Sequence, residues 1–348
     1  MVQPTGYRAF IPTNLPPVPA LRIEGAIQRR LSEADRALGV LDGSVQTLPN
    51  PDLFVFMYVR KEAVLSSQIE GTQSSLQDLL AAEAHVLGAG IPRDVDEVVN
   101  YVHAMNHGLA RLEELPVSVR LIREIHEQLL KGVRGSRLTP GDVPAALGHL
   151  ENFLHGDDDL PLLAKIGLAH AQFETIHPFL DGNGRMGRLL ITLLLCERQV
   201  LRKPVLYLSH YFKRRRQEYY ERLQAVRDEG DWESWIDFFL QGITEVSLQA
   251  ADTARQILVL RETHRRLITD KLGRASGNGH RILESLYQRP IVSATEVQAL
   301  TGTTFAAANQ ITGRLVEAGI LTEFTGQARH RRFRYDAYVR LFNDDDRA

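Results

Sequence analysis

Twelve consecutive residues, His177-Pro178-Phe179-Leu180-Asp181-Gly182-Asn183-Gly184-Arg185-Met186-Gly187-Arg188, hold most of the groups in this sequence that could do chemistry. Asp181-Gly182-Asn183-Gly184 reads as a tight turn, because glycine reaches positive φ and lets another group approach the backbone closely. The turn opens straight into an apolar helix near Arg185. Helix-end N–H groups and the positive end of the dipole therefore face whatever sits in it. Arg185 and Arg188, about one turn apart, add charged donors suited to phosphate oxygens. Asp181 beside such a cradle is a candidate ligand for Mg2+, which takes one or two carboxylates and completes its shell with phosphate and water. His177, four residues ahead of Asp181, belongs to the residue type that serves as a general base near neutral pH. A base, a metal ligand, an anion nest and two arginines are the parts of a phosphoryl- or nucleotidyl-transfer site. The plainer reading is a glycine-rich helix–helix turn with a capping Asp and solvated arginines. It leaves the register of all four elements to chance.

Helices must position these groups, and helical spacing dominates the chain. Apolar residues recur at intervals of three and four over Ala26–Leu41, Asp52–Gln68, Ser75–Leu87, Asp94–Leu112 and Val117–Leu130. Asn50-Pro51 marks the start of the second helix, Gly71 its C-cap, Ser74 the N-cap of the third, and Pro92-Arg93-Asp94 the start of the fourth. Leu162–Thr175 and Arg185–Val200 flank the turn, are the most apolar, and are expected at the centre. Arg214–Val226 and Trp232–Thr253 follow, the latter running on towards Lys271. Gly273–Gly279 is a Gly/Ser-rich joint and reads as a domain boundary. Beyond it come His280–Gln288, a helix opened by the Ser293/Glu296 capping box, a break at Gly302 and the helix Phe305–Ala318. Two short strands close the series, Ile320–Phe324 and Arg331–Tyr335, in the order of a winged helix. The expected division is 1–115, 116–270 and 279–342, in an all-α fold with a C-terminal winged-helix domain.

The segment His177–Arg188 resembles the signature of the Fic family, His-Pro-Phe-x-Asp/Glu-Gly-Asn-Gly-Arg-x-x-Arg, and matches it at every position. The resemblance covers the chain from Asp52 to Phe239 in outline and implies a Fic-type helical bundle with the loop between two central helices. It implies a protein adenylyltransferase that uses ATP and Mg2+ to place AMP on a Ser, Thr or Tyr hydroxyl of a protein, the chain itself among the candidate targets. By position, His177 would take the hydroxyl proton and Asp181 would hold Mg2+. Gly182, Asn183, Gly184 and Arg185 would cradle phosphates, Arg188 would grip the γ-phosphate, and Phe179 would anchor the loop. Ser66-x-x-x-Glu70-Gly71 resembles the inhibitory motif of many such proteins. That implies a Glu70–Arg188 pair formed in cis and a low basal activity. Tyr219 and Tyr220 stand where relatives place aromatic contacts to adenine. Relatives also carry a β-hairpin flap that lays the target over the loop. Here Arg137-Leu138-Thr139-Pro140 runs directly into Gly141–Leu147, the stretch that follows the flap elsewhere. Either the protein lacks a flap near residues 140–144, or the sequence omits one.

Composition narrows the partners. Lys and Arg number 41 against 43 Asp and Glu, a net charge of −2, which excludes a general polyanion binder while leaving room for a local basic patch. One cysteine, Cys196, excludes a disulfide framework or a Cys-rich zinc site. No apolar run reaches the ~18 residues of a membrane span, and Met1–Phe10 carries no secretory pattern. The cytoplasm is therefore expected. There is no Gly-x-x-x-x-Gly-Lys-Ser/Thr loop, and Glu174-x-x-His177 is only half of a di-iron motif. The wing, Gln327–Arg334, is basic, but the helix before it has one cation, Arg314, so DNA and protein are equal candidates for contact there. A homodimer is a further candidate. The alternatives to adenylyl transfer are a nucleotide-sensing DNA-binding regulator and transfer of a different phosphate-containing group.

Overall fold

The computed structural model describes residues 10, 12–48, 50–86, 92, 94–133 and 145–343. The flap position near residues 140–144 and the acidic tail Asp344-Asp345-Asp346 lie outside these residues. The described residues are mostly helical. The first helices are α1 (Gly25–Gln46), α2 (Pro51–Ile69), α3 (Leu76–Glu83), α4 (Val95–Arg111) and α5 (Val119–Leu129). Then come α6 (Ala145–His155), α7 (Leu162–Ile176), α8 (Asn183–Glu197), α9 (Ser209–Arg214), α10 (Arg216–Glu229) and α11 (Trp232–Leu272). The C-terminal part runs through a 3-10 turn (Gly273–Ala275), α12 (Ser276–Leu286), β1 (Ile291–Ser293), α13 (Ala294–Thr301), α14 (Phe305–Glu317), β2 (Thr322–Glu323), β3 (Arg332–Arg334) and α15 (Asp336–Arg340).

Burial follows the apolar pattern. α7 and α8 pack on each other at the centre, and every residue of α7 from Leu163 to Phe173 except Lys165 is buried. α2 is enclosed along most of its length: Met57, Tyr58, Val59, Ala63, Ser66, Ser67 and Ile69 are all buried. Lys61 and Glu62 are buried with them, so polar groups of α2 are enclosed in the bundle as well as apolar ones. Close helix contact is bought by small residues. A Cβ on Gly167 of α7 would meet Ile236 at 2.8 Å, and the Gly167 carbonyl accepts the Trp235 indole N–H at 2.8 Å. α1 lies along α11, which at 41 residues spans the whole bundle.

Two expected caps moved. Ser75, not Ser74, opens α3, in a reciprocal capping box with Asp78. Ser74 Oγ instead donates to Asp94, whose other carboxylate oxygen accepts the Gln73 N–H at 2.6 Å. At the end of α2 the C-cap is Glu70 rather than the expected Gly71, which follows it with φ of 101°, a conformation suited to glycine. The Gly273–Gly279 joint is ordered: α12 begins inside it, and a Cβ on Gly279 would come within 2.7 Å of Ile268 and Leu272 of α11. Gly279 lets α12 sit on α11 instead of freeing it.

α6, α9, α15 and β1 were not expected. β1 is three residues long and exists through its antiparallel partner β3, with Val292 opposite Phe333; the sheet order is β1-β3-β2. Among the described residues no helix is long and apolar enough to cross a membrane.

Candidate active site

The chain leaves α7 through His177, whose φ of 48° caps the helix in the left-handed region, with its N–H donating to Phe173 O at 3.0 Å. That turn puts His177 on the surface while the next segment folds back under it. Phe179 is 4% exposed, and its ring stacks on His126 at 3.6 Å between centroids. His126 Nε2–H donates to the Asp181 carbonyl at 2.8 Å. Burial lowers the pKa of His126, so it serves as a neutral strut. The Asn183 side chain closes the loop from inside: its amide accepts Phe179 N–H at 2.9 Å and donates to Phe179 O at 2.6 Å. Gly182 stands at φ 79° before α8, and no side chain caps that helix. The cradle is thus built from backbone N–H groups, with Asn183 holding its shape.

Asp181 Oδ1 accepts Gly182 N–H at 2.7 Å and lies 3.8 Å from Arg185 Nη2. Among the described residues no three His, Cys, Asp or Glu side chains converge on a metal site. One partly open carboxylate beside an anion cradle still fits Mg2+, because phosphate and water fill the rest of its shell. Arg185 is 3% exposed; Nη1 donates to Glu97 Oε2 of α4 at 2.9 Å, and its Nε is shielded without a partner.

Arg188 is the most enclosed charge of the site, 2% exposed. Nε donates to Ser66 Oγ at 2.9 Å, and Nη2 donates to Ser66 O at 3.0 Å and to Glu70 Oε1 at 2.5 Å. Ser66 and Glu70 sit one turn apart on one face of α2's end. Burial alone would raise the Glu70 carboxyl, but Arg188, then Arg185 and Arg216, outweigh it and hold it below its ordinary value. The Glu70 carboxylate also lies against Gly184, where a Cβ would collide with it. It therefore occupies the mouth of the cradle with an anionic group. Beneath Arg188, Glu174 Oε1 is buried without a partner, and burial pushes its carboxyl up to about 7.

The two tyrosines part company. Tyr219 is 1% exposed, stacked on Phe212 at 4.5 Å. Burial pushes His170 down to about 3, so it is neutral; Nδ1–H donates to Gly187 O at 3.0 Å, and Nε2 accepts the Tyr219 hydroxyl at 2.9 Å. The expected adenine contact from Tyr219 is corrected on this ground: its ring is core and has no face left for a base. Tyr220 is 43% exposed at the same rim. Ser66, Glu70, Asp181, Arg185 and Arg188 do converge, and His177 stands at the exposed start of the same loop. Glu97, His126, His170 and Asp94 were missed; each acts on a residue far along the chain, and no local pattern marks them.

Residues 28–110 match the Fic/DOC family N-terminal region, and residues 116–195 match the Fic/DOC family domain. A probable protein adenylyltransferase of Aquifex aeolicus is 29% identical over 167 residues, 42% of this chain and 51% of that protein. Protein adenylyltransferase Fic of Drosophila willistoni is 28% identical over 222 residues, 56% of this chain and 43% of that one. The chain thus spans about half the length of the curated relatives it matches. A Fic family protein from Desulfovibrio desulfuricans shares the fold, with a TM-score of 0.58 at 22% identity over 90% of this chain and 97% of that one. Both matched regions meet at the loop just described, Ser66 and Glu70 from the first and His177–Arg188 from the second, so over these two stretches the chain carries a Fic/DOC family N-terminal region and a Fic/DOC family domain.

Proposed function

We propose that this protein transfers the adenylyl group of ATP to a Ser, Thr or Tyr hydroxyl of a protein, itself included among the candidate targets, and that Glu70 holds the site shut. The observation that carries the reading is the seat of Glu70, against Arg188 and over Gly184, where a nucleotide's phosphates would otherwise meet the arginine and the helix end. The names of the relatives support the chemistry.

In this mechanism the phosphates lie along the N–H groups of Gly182, Asn183 and Gly184, with Arg185 beside them and Arg188 on the γ-phosphate. The target hydroxyl gives its proton to His177 as its oxygen attacks the α-phosphorus. The bond from that phosphorus to the oxygen bridging to the β-phosphate breaks, and pyrophosphate leaves with the electron pair. Asp181 would hold Mg2+, which when bound neutralises phosphate charge. Tyr220, at the rim, is the remaining aromatic candidate for the adenine. While Glu70 keeps Arg188, the γ-phosphate has no anchor and the α-phosphorus is not aligned for attack.

The test uses Glu70→Gly protein with a protein lysate. Label transferred from α-labelled ATP, absent with γ-labelled ATP and lost in Glu70→Gly/His177→Ala, is the expected result. Transfer from γ-labelled ATP, or full retention without His177, would refute the reading.

The regulator reading has less support. The elements from α12 to β3 follow the order proposed for a winged helix, and Arg329 and Arg331 are exposed on the wing. Yet Arg314, the cation of α14, donates to the carbonyls of Leu272 and Lys271 at the end of α11. It caps a helix and is not free to meet a phosphate. The division into units 1–115, 116–270 and 279–342 is proposed on the same terms.

A further inference from the structure

Arg185 is held in a way that the phosphate-cradle reading alone does not require. A buried guanidinium needs a counter-charge, and a carboxylate 88 positions earlier supplies it: Glu97 Oε2 accepts from Nη1 at 2.9 Å. A guanidinium is a rigid planar fork with five N–H donors. Glu97 takes one end of that fork, Nη1, and leaves the side edge formed by Nε and Nη2. The Nη2 end of that edge lies beside the loop, 3.8 Å from Asp181 Oδ1. Nε is shielded from solvent and has no partner among the described residues. A buried donor left unpaired costs about 1–3 kcal/mol, and such a donor on a side chain that borders an anion cradle marks the place of a missing acceptor.

We propose that Glu97 is a positioning residue: by fixing Nη1 it turns the Nε–Nη2 edge of Arg185 to the loop, where it grips two oxygens of one nucleotide phosphate. This rests on the adenylyl-transfer reading of the site. The arrangement differs from that at Arg188. Glu70 lies in the mouth of the cradle and competes with phosphate, whereas Glu97 engages Nη1 and leaves Nε without a hydrogen-bond partner. Glu97 comes from the first turn of α4, so α4 sets the aim of the first signature arginine while α2 occupies the second.

The experiment measures ATP binding by calorimetry in the Glu70→Gly protein, with Glu97→Ala, Glu97→Gln, Arg185→Ala and Glu97→Ala/Arg185→Ala added. A charge-assisted hydrogen bond is worth about 1.5–3 kcal/mol, so Glu97→Ala is expected to weaken ATP roughly tenfold or more. Glu97→Gln keeps an amide oxygen to accept from Nη1 and retains most of the affinity. Because Glu97 acts through Arg185, the double variant binds no worse than Arg185→Ala alone. Unchanged or tighter ATP binding in Glu97→Ala would overturn the proposal and make Glu97 a second competitor for phosphate. Additive losses in the double variant, or a Glu97→Gln as weak as Glu97→Ala, would also overturn it. If the Glu70→Gly parent binds no ATP, the adenylyl-transfer reading fails first and this proposal falls with it. If the parent binds and Glu97→Ala binds equally, only this proposal fails.

Discussion

Three carboxyl groups surround Arg188, and they differ in charge. Glu70 touches the guanidinium and is held ionised. Glu174 and Glu62 are enclosed, and burial pushes both up to about 7; for Glu62 the hydrogen bonds from Ser209 and the charge of Arg188 pull the other way without prevailing. A carboxyl with a raised folded pKa stabilises the protein fully below its unfolded value of 4.5 and loses that contribution as pH rises through about 7. The melting temperature should therefore decline over that window, and Glu174→Gln, which carries no proton to lose, should flatten the decline in scanning calorimetry. An unchanged slope would remove Glu174 from the account. At this scale the sequence was most informative where chemistry is contiguous: His177, Asp181, Arg185 and Arg188 fall within one turn and its helix. It was silent on Glu97 and His126, because an acid on an amphipathic helix and a histidine among apolar residues look the same whether solvated or engaged.

The helix that carries Glu70 is not a detachable arm. α2 is buried from Met57 to Ile69 except at Arg60 and Gln68, and the Tyr58 hydroxyl donates to Ala250 O of α11 at 3.0 Å. Release of Glu70 must then come from the last turn of α2 and the turn after it, not from withdrawal of the helix. Asp94, ahead of α4, holds that turn through Gln73 N–H and Ser74 Oγ, while Gln68 Nε2 donates to Ser74 O at 2.9 Å. Asp94→Ala should loosen it and raise basal transfer severalfold in the labelling assay, short of Glu70→Gly; a basal rate equal to wild type would show that the turn does not restrain Glu70. Element positions were legible wherever a helix has one apolar face, and their ends less so. Ser74 and Ser75 are equivalent by type, and only the tertiary claim of Asp94 on Ser74 decides which one caps α3. β1 escaped because three residues carry no period and its pairing with β3 is non-local.

At the scale of the whole molecule, the C-terminal elements are joined to the helix that leads into Glu70 and to the one after it. Phe342, 2% exposed, meets the Tyr58 ring edge-on at 5.1 Å, and Arg334 donates to Gln77 just after α3 begins. Phe342→Ala should cost about 3–5 kcal/mol in urea denaturation, the range for a buried aromatic cut to alanine. A loss well under that would mean that the C-terminal residues pack more loosely than this contact implies. The glycine run at 273–279 looks like a flexible linker by composition, yet Gly279 serves the close approach of α12 to α11. Composition cannot distinguish a glycine that frees the chain from one that lets two helices touch.

The central claim is that Glu70 keeps Arg188 from the nucleotide, and one rate comparison tests it most directly. Wild-type and Glu70→Gly proteins, equally folded by circular dichroism, are given α-labelled ATP and Mg2+, and covalent label on protein is followed with time. The account predicts slow labelling by wild type, a rise of at least about tenfold in Glu70→Gly, as loss of a charge-assisted contact worth 1.5–3 kcal/mol allows, and no such rise when Arg188→Ala is combined with it. Equal rates in wild type and Glu70→Gly, with both active, would contradict it.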